Sequence, residues 1–281
     1  MRIKPTLLAM SIFCSTLLLN ACSQLPPSAK TVSENTVQKL VAVVTHGQGK
    51  VKKVFPGPGG LTAVSIEVDG QPNIVYVTPD GKNLILAQAI LNEEGKNLIK
   101  EDAIEAGLLP KPKPADQIAK NVSSSAKSFV VGKSGPEIIA FVDPNCIFCH
   151  KFYEDAKPLI AEGKLRVRYV VVAFLKPSSL PKAEAILSAK DPAQAMAENE
   201  KGFHEETEEG GITPLPDANS EVAAAVENNT QLLVDTGEEA TPTILYCNHA
   251  KKPELVHGMP GTAADLLQKI GAGFNSAGTC Q

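Results

Sequence analysis

A chain of 281 residues with 43% hydrophobic and 21% charged content is long enough for two globular domains and too balanced in composition to be disordered. The absence of Trp, an aromatic content of 5% and a net charge of -4 remove both the stacking platform and the basic footprint that nucleic-acid binding needs. No nucleic-acid partner is expected.

Arg2 and Lys4 precede an apolar stretch from Leu7 to Leu19 that is too short to span a bilayer, so residues 1–21 read as an export signal. The stretch ends in Leu19-Asn20-Ala21-Cys22, which resembles the bacterial lipoprotein signal, in which the Cys is lipidated and becomes the first mature residue. By the same resemblance Ser23 implies the outer membrane; plain secretion with cleavage nearby is the alternative. Residues 22–30 form a short tether, and no later apolar run reaches the roughly 18 residues of a span. Cys14 leaves with the signal and Cys22 would be acylated, so Cys146, Cys149, Cys247 and Cys280 remain. In an oxidising compartment the close pair Cys146/Cys149 leaves Cys247/Cys280 as a second disulfide by elimination.

Thr31 and Glu34 suggest a capping box, and Val37, Leu40, Val41 and Val44 follow at helical spacing before Gly47. Strand patterns at Val51–Phe55, Leu61–Val68, Asn73–Val77 and Leu84–Leu91 are separated by turn residues, Asp69-Gly70 and Pro79-Asp80-Gly81 among them. Residues 31–105 thus read as an α+β domain, a helix with a small antiparallel sheet. The Lys111-Pro112-Lys113-Pro114 run is a stiff break, and residues 106–128 read as a linker helix. In residues 129–281 the order is β-helix-β: a strand at Glu137–Val142, a helix from Cys146 to Glu162 with a kink expected at Pro158, and a strand from Leu165 to Phe174. A helical stretch over 178–236, divided by Pro181, Pro192, Pro214 and Pro216, leads to strands at Thr243–Cys247 and Glu254–His257 and a helix at Thr262–Ile270.

Cys146-Ile147-Phe148-Cys149 opens a helix straight after a strand. Only a thiolate attacks a disulfide, and the free N–H groups and dipole of a helix N-terminus favour negative sulfur. Cys146 is therefore the expected nucleophile; Cys149, one turn later on the same side, resolves the mixed disulfide. Two other chemistries compete for the motif. With His150 it becomes Cys-x-x-Cys-His, the attachment signature of c-type haem. Cys247 and His249 could instead complete a zinc set with Cys146 and Cys149. The strand before the motif and the long β run after its helix weigh against haem, and Cys280 competes for Cys247, so no cofactor and no metal is expected. Glu205–Glu209 reads as a solvated loop, and His204, His249 and His257 as structural or exposed residues.

Phe141–Phe152, Lys176-Pro177, Ala185–Ala193 and Ala240-Thr241-Pro242-Thr-Ile-Leu-Tyr246, with Pro58–Leu61 and Tyr76–Lys82, resemble the DsbC/DsbG family of periplasmic disulfide isomerases, over roughly residues 36–272. The resemblance implies a cystatin-like N-terminal dimerisation domain and an α/β thioredoxin-like catalytic domain with a helical insertion. It implies a V-shaped homodimer whose cleft accepts misfolded or oxidised exported proteins, a cis bond before Pro242, and substrate binding by Thr241 and Pro242. It further implies a membrane electron donor of the DsbD type that keeps the site reduced, and reduction of sulfenylated cysteines. A site kept oxidised would instead make a dithiol oxidase, and a non-enzymatic chaperone or assembly lipoprotein is the reading from another class. Ile147-Phe148 carries no Pro or Gly where relatives usually have one, and His150 follows directly, so the family's reduction potential does not transfer.

Overall fold

The computed structural model describes residues 31–93, 95–215 and 220–281 and divides the chain into two compact units, the first ending at Leu108 and the second running from Leu109 to Gln281. The signal segment with Cys14, the lipidation position Cys22, the tether to Lys30 and Pro216 lie outside the described residues.

The first unit opens with α1 (Glu34–Val44), capped by Ser33, whose Oγ accepts from Thr36 N at 3.3 Å. The cap is thus two residues later than the Thr31 capping box expected. An antiparallel sheet follows in the order β1 (Lys50–Pro56), β2 (Thr62–Val68), β3 (Gln71–Val77), β4 (Leu84–Ile85). Alternation along the strands gives the sheet two apolar faces. Val64, Ile66, Val75 and Val77 pack with Val37 and Val41 of α1; Phe55, Ala63, Ile74 and Tyr76 pack on the other side with α2 (Leu98–Glu105). The strand expected over Leu84–Leu91 stops after two residues. Ala87 and Ile90 leave the ladder to join the apolar layer under α2, a helix with no strong sequence signal beyond its Asn97 cap.

The second unit begins with α3 (Ala115–Ser125) and β5 (Ser128–Val131), then β6 (Glu137–Val142), α4 (Ile147–Ala161) and β7 (Arg166–Val171). Three helices, α5 (Ser179–Ser188), α6 (Pro192–Lys201) and α7 (Ser220–Val234), form the insertion. β8 (Thr243–Asn248), β9 (Pro253–His257), α8 (Ala263–Lys269) and β10 (Ile270–Ala272) complete it. The sheet runs β10-β8-β6-β7-β5 with β9 on β8; β6 and β7 are parallel, and β8 is antiparallel to both β6 and β9. This is a thioredoxin-like order, a parallel β-α-β followed by an antiparallel pair and a closing helix.

Every residue of β6 is buried, because helices cover both faces of the sheet. Ile138, Ala140 and Val142 point into the core that holds α4, while Ile139 and Phe141 meet Ile118, Ala119 and Val122 of α3 on the other face. α4 continues through Pro158 to Ala161, where a kink was expected. The tail is fastened by the Cys247–Cys280 disulfide, with S–S at 2.03 Å, and by Phe274, which is buried in the second core.

Candidate active site

The segment Asp143-Pro144-Asn145 carries the chain from the end of β6 to the N-terminus of α4, and this places the cysteines. Cys146 is the N-cap of α4, with extended backbone, and its Sγ accepts from Cys149 N–H at 3.3 Å. An N-cap acceptor is normally an oxygen; here a sulfur takes that place, and the helix donor that satisfies it also favours its anion. In the thiol form Cys146 donates to Thr241 O at 3.2 Å. The Thr241–Pro242 bond is cis, and Thr241 Oγ1 is buried with no partner among the described residues.

The two free thiols differ. The Cys146 pKa is lowered to about 7, chiefly by hydrogen bonding from the Cys149 side chain, against the opposing effect of burial and with help from Thr241 and the helix N–H groups. Burial pushes the Cys149 thiol well above its ordinary value, and the hydrogen bond to Cys146 adds to that. Cys146 is 4% exposed and Cys149 1%, while Phe148 between them stands 53% exposed at the surface. The arrangement supplies one thiolate at neutral pH and one reserve thiol beneath it.

The other sequence candidates go elsewhere. Cys247 is bonded to Cys280, and His249 Nε2 lies 2.9 Å from Gln268 O, so neither joins Cys146 and Cys149 as the zinc alternative requires. No cluster of three His, Cys, Asp or Glu side chains suited to a metal occurs among the described residues. His150 Nδ1 is 2.8 Å from Glu200 Oε2, and its ring stacks on Phe203 with centroids 4.6 Å apart. The histidine of the Cys-x-x-Cys-His signature is thus engaged by Glu200 and Phe203. His257 meets Thr243 Oγ1 through Nδ1 at 3.0 Å, one residue beyond Pro242.

Several residues around the cysteines had no sequence signal. Glu200 is buried on α6; burial raises its carboxyl pKa, and the bonds from His150 and Asn199 pull it back in part. Lys182 is buried on α5 and paired with Glu209, the last residue of the acidic run, so one end of that run is tied down. An Asp-Pro-Asn turn before a cysteine was visible in the sequence; its partners, more than 30 residues away, were not.

No family model matches the chain. It is 28% identical over 244 residues to the thiol:disulfide interchange protein DsbG of Pseudomonas aeruginosa, covering 86% of this chain and 88% of that one. To the DsbG of Escherichia coli it is 29% identical over 213 residues, covering 74% and 81%. Among solved structures it is similar to a periplasmic thioredoxin-like protein from Salmonella enterica serovar Typhimurium, with a TM-score of 0.42 and 20% identity over 54% of this chain and 93% of that one.

Proposed function

Because the chain belongs to the family of thiol:disulfide interchange proteins that includes DsbG, we propose that it rearranges or reduces disulfides of exported proteins in the periplasm, with Cys146 as nucleophile and Cys149 as resolving thiol. The observation that carries this reading is the N-cap position of Cys146, its sulfur between Cys149 N–H and Thr241 O.

The Cys146 thiolate attacks one sulfur of a client disulfide. That S–S bond breaks, a Cys146–client bond forms, and the departing client sulfur takes up a proton. Attack by another client thiolate on the mixed disulfide then returns Cys146 and leaves a rearranged client, with no net electron transfer. If rearrangement stalls, Cys149 loses its proton and attacks Cys146, releasing a client thiol and leaving Cys146–Cys149 oxidised, two electrons having passed to the client. A dithiol donor at the membrane, of the DsbD type, restores the pair. With a sulfenylated client, Cys146 condenses with the S–OH group, releases water and enters the same mixed disulfide. Thr241 and Pro242 form the edge beside the sulfur to which an extended client segment pairs.

The first unit serves as the dimerisation domain, residues 106–128 as the connection, and Cys22 as the lipid attachment that holds the protein at the outer membrane. The decisive experiment compares wild type with Cys146→Ala in recovery of a scrambled-disulfide client: loss of recovery supports the enzyme, and full retention replaces it with the chaperone reading. Thiol trapping of Cys146/Cys149 in cells sets the direction, mostly reduced for isomerase or reductase and mostly oxidised for a dithiol oxidase.

A further inference from the structure

The three residues before Cys146 are each held by the insertion and the segment leading into it. Asp143 Oδ1 accepts from Asn145 N at 2.9 Å and Ser179 Oγ at 2.7 Å; Oδ2 accepts from Phe174 N at 2.9 Å and Leu175 N at 3.2 Å. Pro144 O accepts from Asn199 Nδ2 of α6 at 3.0 Å. Asn145 Oδ1 accepts from Lys182 Nζ of α5 at 2.8 Å and Gly210 N at 3.0 Å, while its Nδ2 donates to Ser178 Oγ at 2.9 Å and Ser179 Oγ at 3.1 Å. An amide side chain offers two donors and two lone pairs, and all four are used. Asp143, Asn145, Ser179, Lys182 and Asn199 are buried. Lys182 is in turn held by Glu209, which also accepts from Ser178 Oγ.

We propose that Lys182 and Asn199 are positioning residues for Cys146, and that the helical insertion acts as a clamp setting where the nucleophilic sulfur sits at the N-terminus of α4. This rests on Cys146 being the nucleophile. The physical reason is short range: the thiolate depends on the Cys149 side chain and on the Cys149 N–H at 3.3 Å, and Asn145 is the residue through which the backbone enters that geometry. Fully satisfied buried networks fix a unique arrangement; a network missing one member leaves buried polar groups unpaired and free to rearrange. Neither residue touches the sulfur. Each acts through the backbone of the loop.

The test uses the reduced full chain, in which Cys149 titrates well above Cys146 so that Cys146 alone reports near neutrality, with Lys182→Gln and Asn199→Ala introduced separately. The Cys146 titration is followed by thiolate absorbance near 240 nm, the attack rate with a small aromatic disulfide, and folding by far-ultraviolet circular dichroism. Each folded variant is expected to move the Cys146 titration up toward the ordinary thiol value of about 8.5 and to slow attack at neutral pH, with about 100-fold as the upper range for an ångström-scale misplacement. Variants that melt earlier yet titrate and react like the parent overturn the proposal, since that is what a merely structural role predicts. If Lys182→Gln fails to fold, Asn199→Ala alone decides by the same two outcomes. A parent that does not attack the disulfide at all overturns the nucleophile assignment instead.

Discussion

At the scale of single residues, the contrast between the two cysteines makes a direct prediction. With the Cys146 thiol at about 7 and Cys149 held well above its ordinary value, alkylation of the reduced protein by iodoacetamide is expected to follow one titration near neutrality. Its rate rises with pH to a plateau, and mass spectrometry locates the label on Cys146 alone until alkaline pH; early label on Cys149 would reverse the roles. Glu200 makes a second prediction, about stability. Burial raises its folded carboxyl pKa, so the folded state binds the proton more tightly than the unfolded chain, whose carboxyl titrates near about 4.3. The cost of ionising it grows as pH rises from that value through the raised folded one. Gln carries no such cost. The urea midpoint of Glu200→Gln, relative to wild type, is therefore expected to shift in the variant's favour as pH rises above the unfolded carboxyl value; a constant difference would show that Glu200 ionises as freely folded as unfolded.

At the scale of elements, the tail after α8 depends on a covalent tie. Cys247 lies on β8 and Cys280 is 33 residues later, a loop whose closure by chain-entropy reasoning stabilises by roughly 3 to 4 kcal/mol. A Cys247→Ala/Cys280→Ala double variant is expected to lose stability of that order in urea unfolding, while its attack on a small disulfide through Cys146 stays unchanged. How legible the elements were depended on what holds each one. The unbroken apolar runs Ile74–Val77 and Ile138–Val142 sit in the sequence because burial on both sheet faces dictates them locally. The Cys146 helix start was legible for a similar reason, since an N-cap and the first turn are contiguous. Leu84–Leu91 was misread because its β-type residues were claimed by a tertiary layer under α2 rather than by a neighbouring strand. Glu209 was misread because its partner, Lys182, lies 27 residues away on a helix with no distinguishing pattern. The polar surroundings of the cysteines are almost all of this second kind, made by contacts between distant segments.

At the scale of the whole molecule, the second unit has a core on each face of its own sheet, and the first has its own two apolar layers. A chain beginning at Leu109 is accordingly expected to fold and to keep its reaction with a small disulfide. In sedimentation equilibrium the longer chain is expected at twice the monomer mass and the truncated one at the monomer mass, and an equal state for both would remove the dimerisation role of the first unit. Cys247, with no exposed surface, holds a closed bond in the same domain in which Cys146 and Cys149 stand as free thiols. Thiol exchange needs an in-line approach of one sulfur to another, so with Cys247 buried a reductant can reach this disulfide only at Cys280, which is partly buried. The domain's own fastening is thus open to the chemistry it performs at a single sulfur, and the packing around Cys247 confines any such exchange to the Cys280 end of the tail.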